Sequence, residues 1–195
     1  METLQKTKHL IFFELFQYLI SPGIYVLYGC FIFLFGLIFV VGLDTTSRIL
    51  QNEFLMTQML KCVWIPCFFI VPVITIRKVI SEKQNGQLKQ LLIIPINKYS
   101  IVISKFISAL LLFVVLWTQI IVFPFIAKLC VSDLSFNDII ESFSLFPMLI
   151  FEAIIIGSFV ISFGIFFGYF FESQISAYAM YFMFVFVAFM SGSLL

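Results

Sequence analysis

Residues 24–43 form a stretch of twenty residues without a charged side chain, and four more long apolar segments follow it. A helix of that length extends about 30 Å, which is the thickness of the hydrocarbon core of a bilayer. Hydrophobic residues make up 63% of the chain and charged residues 11%, which is more apolar surface than a soluble domain of this length can bury. The sequence therefore predicts an all-α membrane protein.

The apolar segments predict five membrane-spanning helices and the loops between them. The spans are predicted at residues 24–43, 59–76, 100–127, 145–171 and 175–195. Polar loops are predicted at residues 44–58, 77–99 and 128–144, with a short turn at residues 172–174.

The N-terminal residues 4–20 predict a helix that lies in the membrane interface. Phe12, Phe16 and Ile20 recur at a spacing of four residues, with polar side chains between them. Glu14 is expected on the water-facing side of this helix. The sequence Ser-Pro-Gly at residues 21–23 predicts the end of the helix and a sharp turn into the bilayer.

The charge distribution predicts a cytoplasmic N-terminus and places the two chain ends on opposite sides of the membrane. Cytoplasmic segments then hold eight of the eleven lysines and arginines and outer segments hold three, in agreement with the positive-inside bias. The eight are Lys6, Lys8, Arg77, Lys78, Lys83, Lys89, Lys98 and Lys105, and the three are Arg48, Lys61 and Lys128. Most of the cytoplasmic charge thus falls in or beside residues 77–99, the polar segment.

Within the polar segment, residues 87–94 predict a short amphipathic helix. Leu88, Leu91 and Leu92 lie at positions i, i+3 and i+4, so they share one face. An Asn-Gly pair predicts a turn before this helix, and Pro95 predicts its end. Physical reasoning leaves two interpretations open. The leucine face inserts into a groove on a soluble partner, or the segment is a charged loop that lies on the lipid headgroups.

A set of residues in this segment matches a known pattern. The matching residues are Glu82, Lys83, Gly86, Leu88, Leu91, Leu92 and Pro95. They resemble the cytoplasmic signature of ABC-2 type transporter permeases, which typically reads E-[KR]-x-x-G-[ST]-[LIM]-[ED]-x-L-L-x-[ST]-P. Gln87, Lys89 and Ile94 depart from it, because the family usually has a hydroxyl side chain, an acid and a hydroxyl side chain at these positions.

The resemblance extends to other parts of the chain. The N-terminal helix and its break at residues 21–23 resemble the N-terminal elbow of the family. The turn at residues 171–175 resembles the short inner turn between the fourth and fifth spans, and the gliding-motility-type branch looks closest. Such permeases usually have six spans, whereas five are predicted here. The sixth span is therefore expected to be missing.

The resemblance implies that the polar segment contains a coupling helix. In the family, this helix docks into a cleft on a separate ATP-binding subunit, and ATP-driven closure of two such subunits moves the spans. The chain has no G-x-x-x-x-G-K-[ST] phosphate loop, so ATP hydrolysis is expected on the partner. A second permease, identical or homologous, and the lipid bilayer are the other expected partners, and no cofactor is expected.

Composition and residue spacing argue against other classes of function. A net charge of +1 offers no large basic field for nucleic acid. Among the four cysteines, Cys62 and Cys67 are nearest in sequence, but their spacing does not match a CxxC metal or redox motif. His9 has no Ser or Cys partner for a hydrolytic triad. No catalytic residue and no metal site is predicted.

The fourth predicted span carries two further features. Glu152 lies in its outer third, where it is either a substrate-path or proton-linked residue, or a carboxylate that reaches headgroup water or a neighbouring span. Gly164 and Gly168 form a GxxxG pattern that allows close helix approach. That pattern fits packing within the chain and dimerisation equally well.

We therefore predict a single transmembrane domain over residues 1–195, with an interfacial elbow at 1–23 and a coupling-helix region at 77–99. The predicted protein is the permease subunit of an ATP-binding-cassette exporter in the inner (cytoplasmic) membrane, and not itself an enzyme. One alternative is a non-transporting membrane binding, immunity or assembly protein derived from a truncated permease. The other is an intramembrane enzyme, for which Glu152 has no evident polar companion at helical spacing.

Overall fold

The computed structural model describes residues 2–46, 64–87, 98–118, 122 and 136–193. Over these residues the chain forms six α-helices and no β-strand, which confirms the all-α class. The helices are α1 (Glu2–Ile20), α2 (Pro22–Thr46), α3 (Trp64–Gln84), α4 (Lys98–Thr118), α5 (Phe136–Phe170) and α6 (Gln174–Ser193).

Within the described ranges, two helices are each long and apolar enough to cross a membrane. They are Tyr99–Thr118 in α4 and Ile150–Phe170 in α5. Thr7–Ile20 and Pro22–Leu37 pass the same test only as a pair, joined at a bend of 71°. A shorter apolar stretch, Gln174–Ala188, belongs to α6. The apolar helices therefore make the chain a multi-pass membrane protein.

The bend between α1 and α2 is centred on Ser21. The Ser21 N–H donates a hydrogen bond to the carbonyl of Tyr18, and the Ile24 N–H donates one to the carbonyl of Ser21, both at 3.1 Å. Pro22 begins α2 at a position where the missing N–H costs no helical hydrogen bond. The predicted break at residues 21–23 is confirmed.

The start of α5 differs from the sequence prediction. Residues 136–144, predicted as part of a polar loop, belong to α5, which begins at Phe136 and has 35 residues. At about 1.5 Å per residue, such a helix extends well beyond a hydrocarbon core of about 30 Å. The polar side chains Asp138 and Glu141 were the reason for the loop prediction. Polarity excludes a residue from the lipid core, but it does not exclude it from a helix.

Helix α3 packs against both α5 and α6, and α1 packs along α4. Two glycines bring α5 close to α3. A Cβ atom at Gly164 would lie 2.3 Å from Oγ1 of Thr75, and one at Gly168 would lie 3.0 Å from Cβ of Val79. The GxxxG face of α5 is therefore occupied by α3 of the same chain, as the interpretation of packing within the chain predicts.

Aromatic side chains fill the spaces between the other helices. The rings of Phe163 in α5 and Phe184 in α6 stack with their centroids 4.1 Å apart. Phe31 joins α2 to the bundle through Trp117 of α4, with ring centroids 6.5 Å apart. These contacts join α5 to α6 and α2 to α4.

Candidate functional site

The polar segment begins as a continuation of α3. This helix runs past residue 76, the predicted end of the second span, and ends at Gln84. The Asn85 N–H donates to the carbonyl of Ser81 at 2.9 Å, and the Gly86 N–H donates to the carbonyl of Lys83 at 3.2 Å. Gly86 has a φ of 73°, in the left-handed region where glycine has no steric penalty. The predicted Asn-Gly turn is confirmed, and it ends α3.

The structure describes three of the seven residues predicted to couple to an ATPase. They are Glu82, Lys83 and Gly86, all at the end of α3. The other four lie outside the described residues, as does most of the short helix predicted at residues 87–94. These four are Leu88, Leu91, Leu92 and Pro95.

Glu82 belongs to a buried group of charges. Its Oε2 accepts a hydrogen bond from Nζ of Lys105 at 2.5 Å, and the same ammonium donates to Oε1 of Glu14 at 2.7 Å. The exposed fractions of Glu14, Glu82 and Lys105 are 2%, 5% and 3%. One lysine of α4 thus joins a carboxylate of α1 to a carboxylate of α3.

Lys78 completes this group on the other side of Glu14. Its ammonium forms an ion pair with Oε2 of Glu14 and donates to the Glu14 backbone carbonyl at 3.3 Å. It also lies 3.8 Å from the centroid of the Tyr18 ring, a cation–π distance. The Tyr18 hydroxyl donates to the carbonyl of Ile74 at 3.0 Å. We call Glu14, Lys78, Glu82 and Lys105 the charge cluster.

The charge cluster is formally neutral, with two carboxylates and two ammonium groups. Burying an ion costs several kcal/mol, and only close partners with good hydrogen bonds offset that cost. Removing one partner from such a pair typically costs about 3–5 kcal/mol, because an uncompensated charge stays buried. The cluster therefore joins α1, α3 and α4 through charge-assisted hydrogen bonds, in addition to their apolar contacts.

The two carboxylates differ in their electrostatic surroundings. Burial raises the pKa of Glu14, but Lys105 and Lys78 outweigh burial, so its pKa lies below the usual value. Burial also raises the pKa of Glu82, and there Lys105 does not fully offset it, so its pKa lies above the usual value. Glu14 thus has two ammonium partners, whereas Glu82 shares one of them.

Lys83 turns towards the opposite side of the bundle. Its ammonium donates to the carbonyl of Tyr169, and to the carbonyl of Phe171 at 3.3 Å. These carbonyls lie at the C-terminal end of α5, where unpaired carbonyls and the helix dipole favour a cation. The end of α3 is therefore bonded to the α5–α6 turn as well as to α1 and α4. This turn spans residues 171–173, in agreement with the short turn predicted there.

The position of Glu14 corrects the sequence prediction. Glu14 was expected on the water-facing side of α1, but it is buried against α3 and α4. The prediction treated α1 as an isolated amphipathic helix. Lys105 is the residue that could have indicated this burial, because a lysine inside an apolar span needs a buried anion. Glu14 is a candidate for that anion, since it is an acid in an otherwise apolar stretch.

The remaining sequence candidates lie apart from the cluster. Glu152 is half-buried in the middle part of α5. No group of three or more metal-ligating side chains occurs in the described ranges. Cys30 is an exposed free thiol on α2, and nothing in the structure describes the side chains of the other three cysteines.

Comparison with protein families gives one result that covers most of the chain. Residues 12–188 match the family model described as ABC-2 family transporter protein. The match begins within α1 and ends within α6, and it includes all four residues of the charge cluster. A search of curated proteins finds no match.

Proposed function

Because the chain belongs to the ABC-2 transporter family, we propose that it is the permease subunit of an ATP-binding-cassette exporter. In this role the spans form part of a translocation path, and a separate ATP-binding subunit supplies the energy. Permeases of this family are typically non-catalytic, and the chain itself has no phosphate loop. The conformational change must then be transmitted through the cytoplasmic surface of the chain.

The observation that supports this proposal is the attachment of the polar segment to four helices. Its first residues are the last turns of α3, and Glu82 connects them through Lys105 to α4 and α1. Lys83 connects them to the C-terminal end of α5. A movement of the end of α3 is therefore transmitted to α1 and α4 through Glu82 and to α5 through Lys83.

This arrangement divides the seven proposed coupling residues into three groups. Glu82 and Lys83 face the bundle, so we assign them as positioning residues that act through the orientation of α3. Gly86 supplies the left-handed turn that redirects the chain after α3. Contact with the ATP-binding subunit is proposed for the remaining four, which are Leu88, Leu91, Leu92 and Pro95.

Further features of the transporter belong to the same proposal. A second permease subunit, identical or homologous, is proposed to complete the path. The coupling region is proposed at residues 77–99 and the interfacial elbow at residues 1–23, both on the cytoplasmic side of the cytoplasmic membrane. Glu152 is proposed as a residue of the path, because a membrane acid that is only half-buried retains access to other polar groups.

The docking claim is tested by purification of the tagged full-length chain from native membranes in mild detergent. We expect a subunit with a phosphate loop and ATPase activity to copurify. Leu91→Asp should reduce its recovery at least about tenfold, because about 1.4 kcal/mol of lost binding already gives that factor and a buried charge costs more. Membrane insertion should be unchanged.

Gln90→Asp is the matched control, because it adds the same charge on the polar face of the same predicted helix. It should recover the ATPase subunit at the level of the unmodified chain. Normal recovery of the ATPase subunit with Leu91→Asp would contradict the docking claim. Equal loss of the subunit with both variants would show that the added charge, and not the leucine face, determines binding.

A further inference from the structure

A pocket lies at the bend between α1 and α2, on the side that faces α3. Its volume is about 310 Å³, at the lower end of the range of about 300–1,000 Å³ that is usual for ligand sites. We call it the elbow pocket. Its polar wall is formed by Gln17, Ser21, Arg77, Lys78, Ser81, Glu82 and Gln87, and its apolar wall by Tyr18, Gly23, Ile24, Leu27, Val73 and Ile74.

The polar wall of the elbow pocket has an excess of positive charge. Lys78 and Glu82 belong to the neutral charge cluster, and the Glu82 carboxylate is bonded to Lys105. Arg77 is exposed and, among the described residues, forms no ion pair. Within the described part of the chain, no carboxylate pairs with its guanidinium. Arg77 therefore supplies the excess positive charge of this wall.

The guanidinium of Arg77 lies beside the first turn of α2. Its Nη1 is 4.0 Å from the position that a Cβ of Gly23 would occupy. The first turn of α2 contains no acidic side chain, and the N-terminus of a helix carries a partial positive charge. Two positive features, one a full charge and one a helix end, thus converge on the same side of the pocket.

The apolar wall points to a ligand that also has a hydrocarbon part. This wall follows α2 and α3 in the direction in which α2 leaves the bend. It is lined by Ile24, Leu27, Val73 and Ile74. Next to the pocket, α1 exposes large apolar side chains, as expected of a helix at a membrane surface. They are Phe12, Phe13, Phe16, Leu19 and Ile20.

We propose that the elbow pocket binds the phosphate headgroup of one anionic phospholipid from the leaflet in which α1 lies. The phosphate is held by Arg77 and the first turn of α2, because guanidinium and helix N-termini both favour phosphate oxygens. The beginning of the acyl chains lies along Ile24, Leu27 and Val73. A free phosphate would use only the polar wall. This inference is independent of ATPase coupling and requires only that α1 lies at the membrane surface.

The test measures lipid binding to the purified full-length chain by native mass spectrometry in detergent. Phosphatidylglycerol and phosphatidylcholine of the same acyl composition are the probes. We expect the unmodified chain to bind one phosphatidylglycerol at least about fivefold more tightly than phosphatidylcholine. Arg77→Gln should reduce that preference to less than about twofold.

Lys8→Gln is the matched control, because it removes one positive charge from an exposed position on α1 that does not line the pocket. It should retain the preference for phosphatidylglycerol. Equal loss in Lys8→Gln and Arg77→Gln would overturn the proposal, since it would indicate attraction to net charge. The absence of any preference in the unmodified chain would also overturn it.

Gly23→Asp provides a second variant that does not remove a native charge. A Cβ at Gly23 meets no atom closer than 3.7 Å, and an acid in the first turn of α2 suits the helix dipole, so folding should not suffer. Its carboxylate should form an ion pair with the Arg77 guanidinium and abolish the preference for phosphatidylglycerol. Unchanged preference in this variant would contradict the proposed position of the phosphate. Displacement of phosphatidylglycerol by glycerol 3-phosphate at equal concentration would overturn the lipid assignment in favour of a soluble phosphate.

Discussion

Lys105 is the only residue of the charge cluster that contacts both carboxylates. Its ammonium is bonded to Glu14 and Glu82, and its side chain is almost fully buried. Lys78, in contrast, contacts only Glu14 among the two acids and is partly exposed. The two lysines therefore differ in the cost of their removal, although both belong to the same neutral group.

Lys105→Met should destabilise the folded chain by about 3–5 kcal/mol, because two buried carboxylates lose their shared partner. Chemical denaturation of the purified protein in detergent measures this change, and Lys8→Met provides the control at an exposed position. Glu82→Gln added to Lys105→Met should recover most of the loss, because Glu14 and Lys78 then remain as a neutral pair. A Lys105→Met variant as stable as Lys8→Met would contradict the importance of the cluster.

The sequence supplied the individual charges of this cluster but not their pairing. Lys105 and Glu14 are 91 residues apart, and no local periodicity relates α1 to α4. The turn at Gly86 was predictable, because an Asn-Gly pair determines its own backbone conformation. Local chemistry could thus be predicted, whereas a contact that depends on the packing of three helices could not.

The contact between α3 and α5 depends on the absence of side chains at two positions of α5. Gly164 faces Thr75, and the Thr75 hydroxyl donates to the carbonyl of Val71 at 2.7 Å, which keeps it on its own helix. Gly168 faces Val79 one turn further along. The same stretch of α3 carries Lys78 and Glu82, so a shift of α3 away from α5 would also move the charge cluster.

Gly164→Leu should therefore separate α3 from α5 and destabilise the chain by about 1–3 kcal/mol or more, as overpacking of a close contact does. Gly29→Leu is the matched control, because a Cβ at Gly29 meets no atom within 4 Å. It should leave stability unchanged or slightly higher, since leucine favours helix over glycine by about 1 kcal/mol. Thermal unfolding of both variants in detergent distinguishes these results, and equal melting temperatures would contradict close α3–α5 packing.

The sequence predicts the presence of the helices better than it predicts where they begin and end. The apolar segments indicated the helices, and the Ser-Pro-Gly sequence indicated the bend. The ends of α3 and α5 were misjudged because both helices extend beyond the apolar stretch into polar sequence. Hydropathy indicates where the lipid-embedded part of a helix ends. The helix itself ends at its capping residues, as α3 does just before Gly86.

At the scale of the whole molecule, the distribution of lysines and arginines predicts one orientation in the membrane. We expect the polar segment on the cytoplasmic side and the residues after α2 and α6 on the other side, because cytoplasmic segments then hold most lysines and arginines. Green fluorescent protein fused after residue 87 should fluoresce. Alkaline phosphatase fused after residue 46 or residue 193 should be active. Phosphatase activity at residue 87 would reverse the assignment.

The order of synthesis adds a consequence of the buried position of Glu14. The ribosome releases Glu14 long before its partners, since Lys78 follows it by 64 residues and Lys105 by 91. Until Lys78 is synthesised, the Glu14 carboxylate has no lysine of the cluster to neutralise it. We therefore expect α1 to stay in contact with water during this time. The packing of α1 against α4 therefore follows the synthesis of both lysines, and a nascent chain that stops before Lys78 contains no cluster lysine for a carboxylate that the finished protein buries.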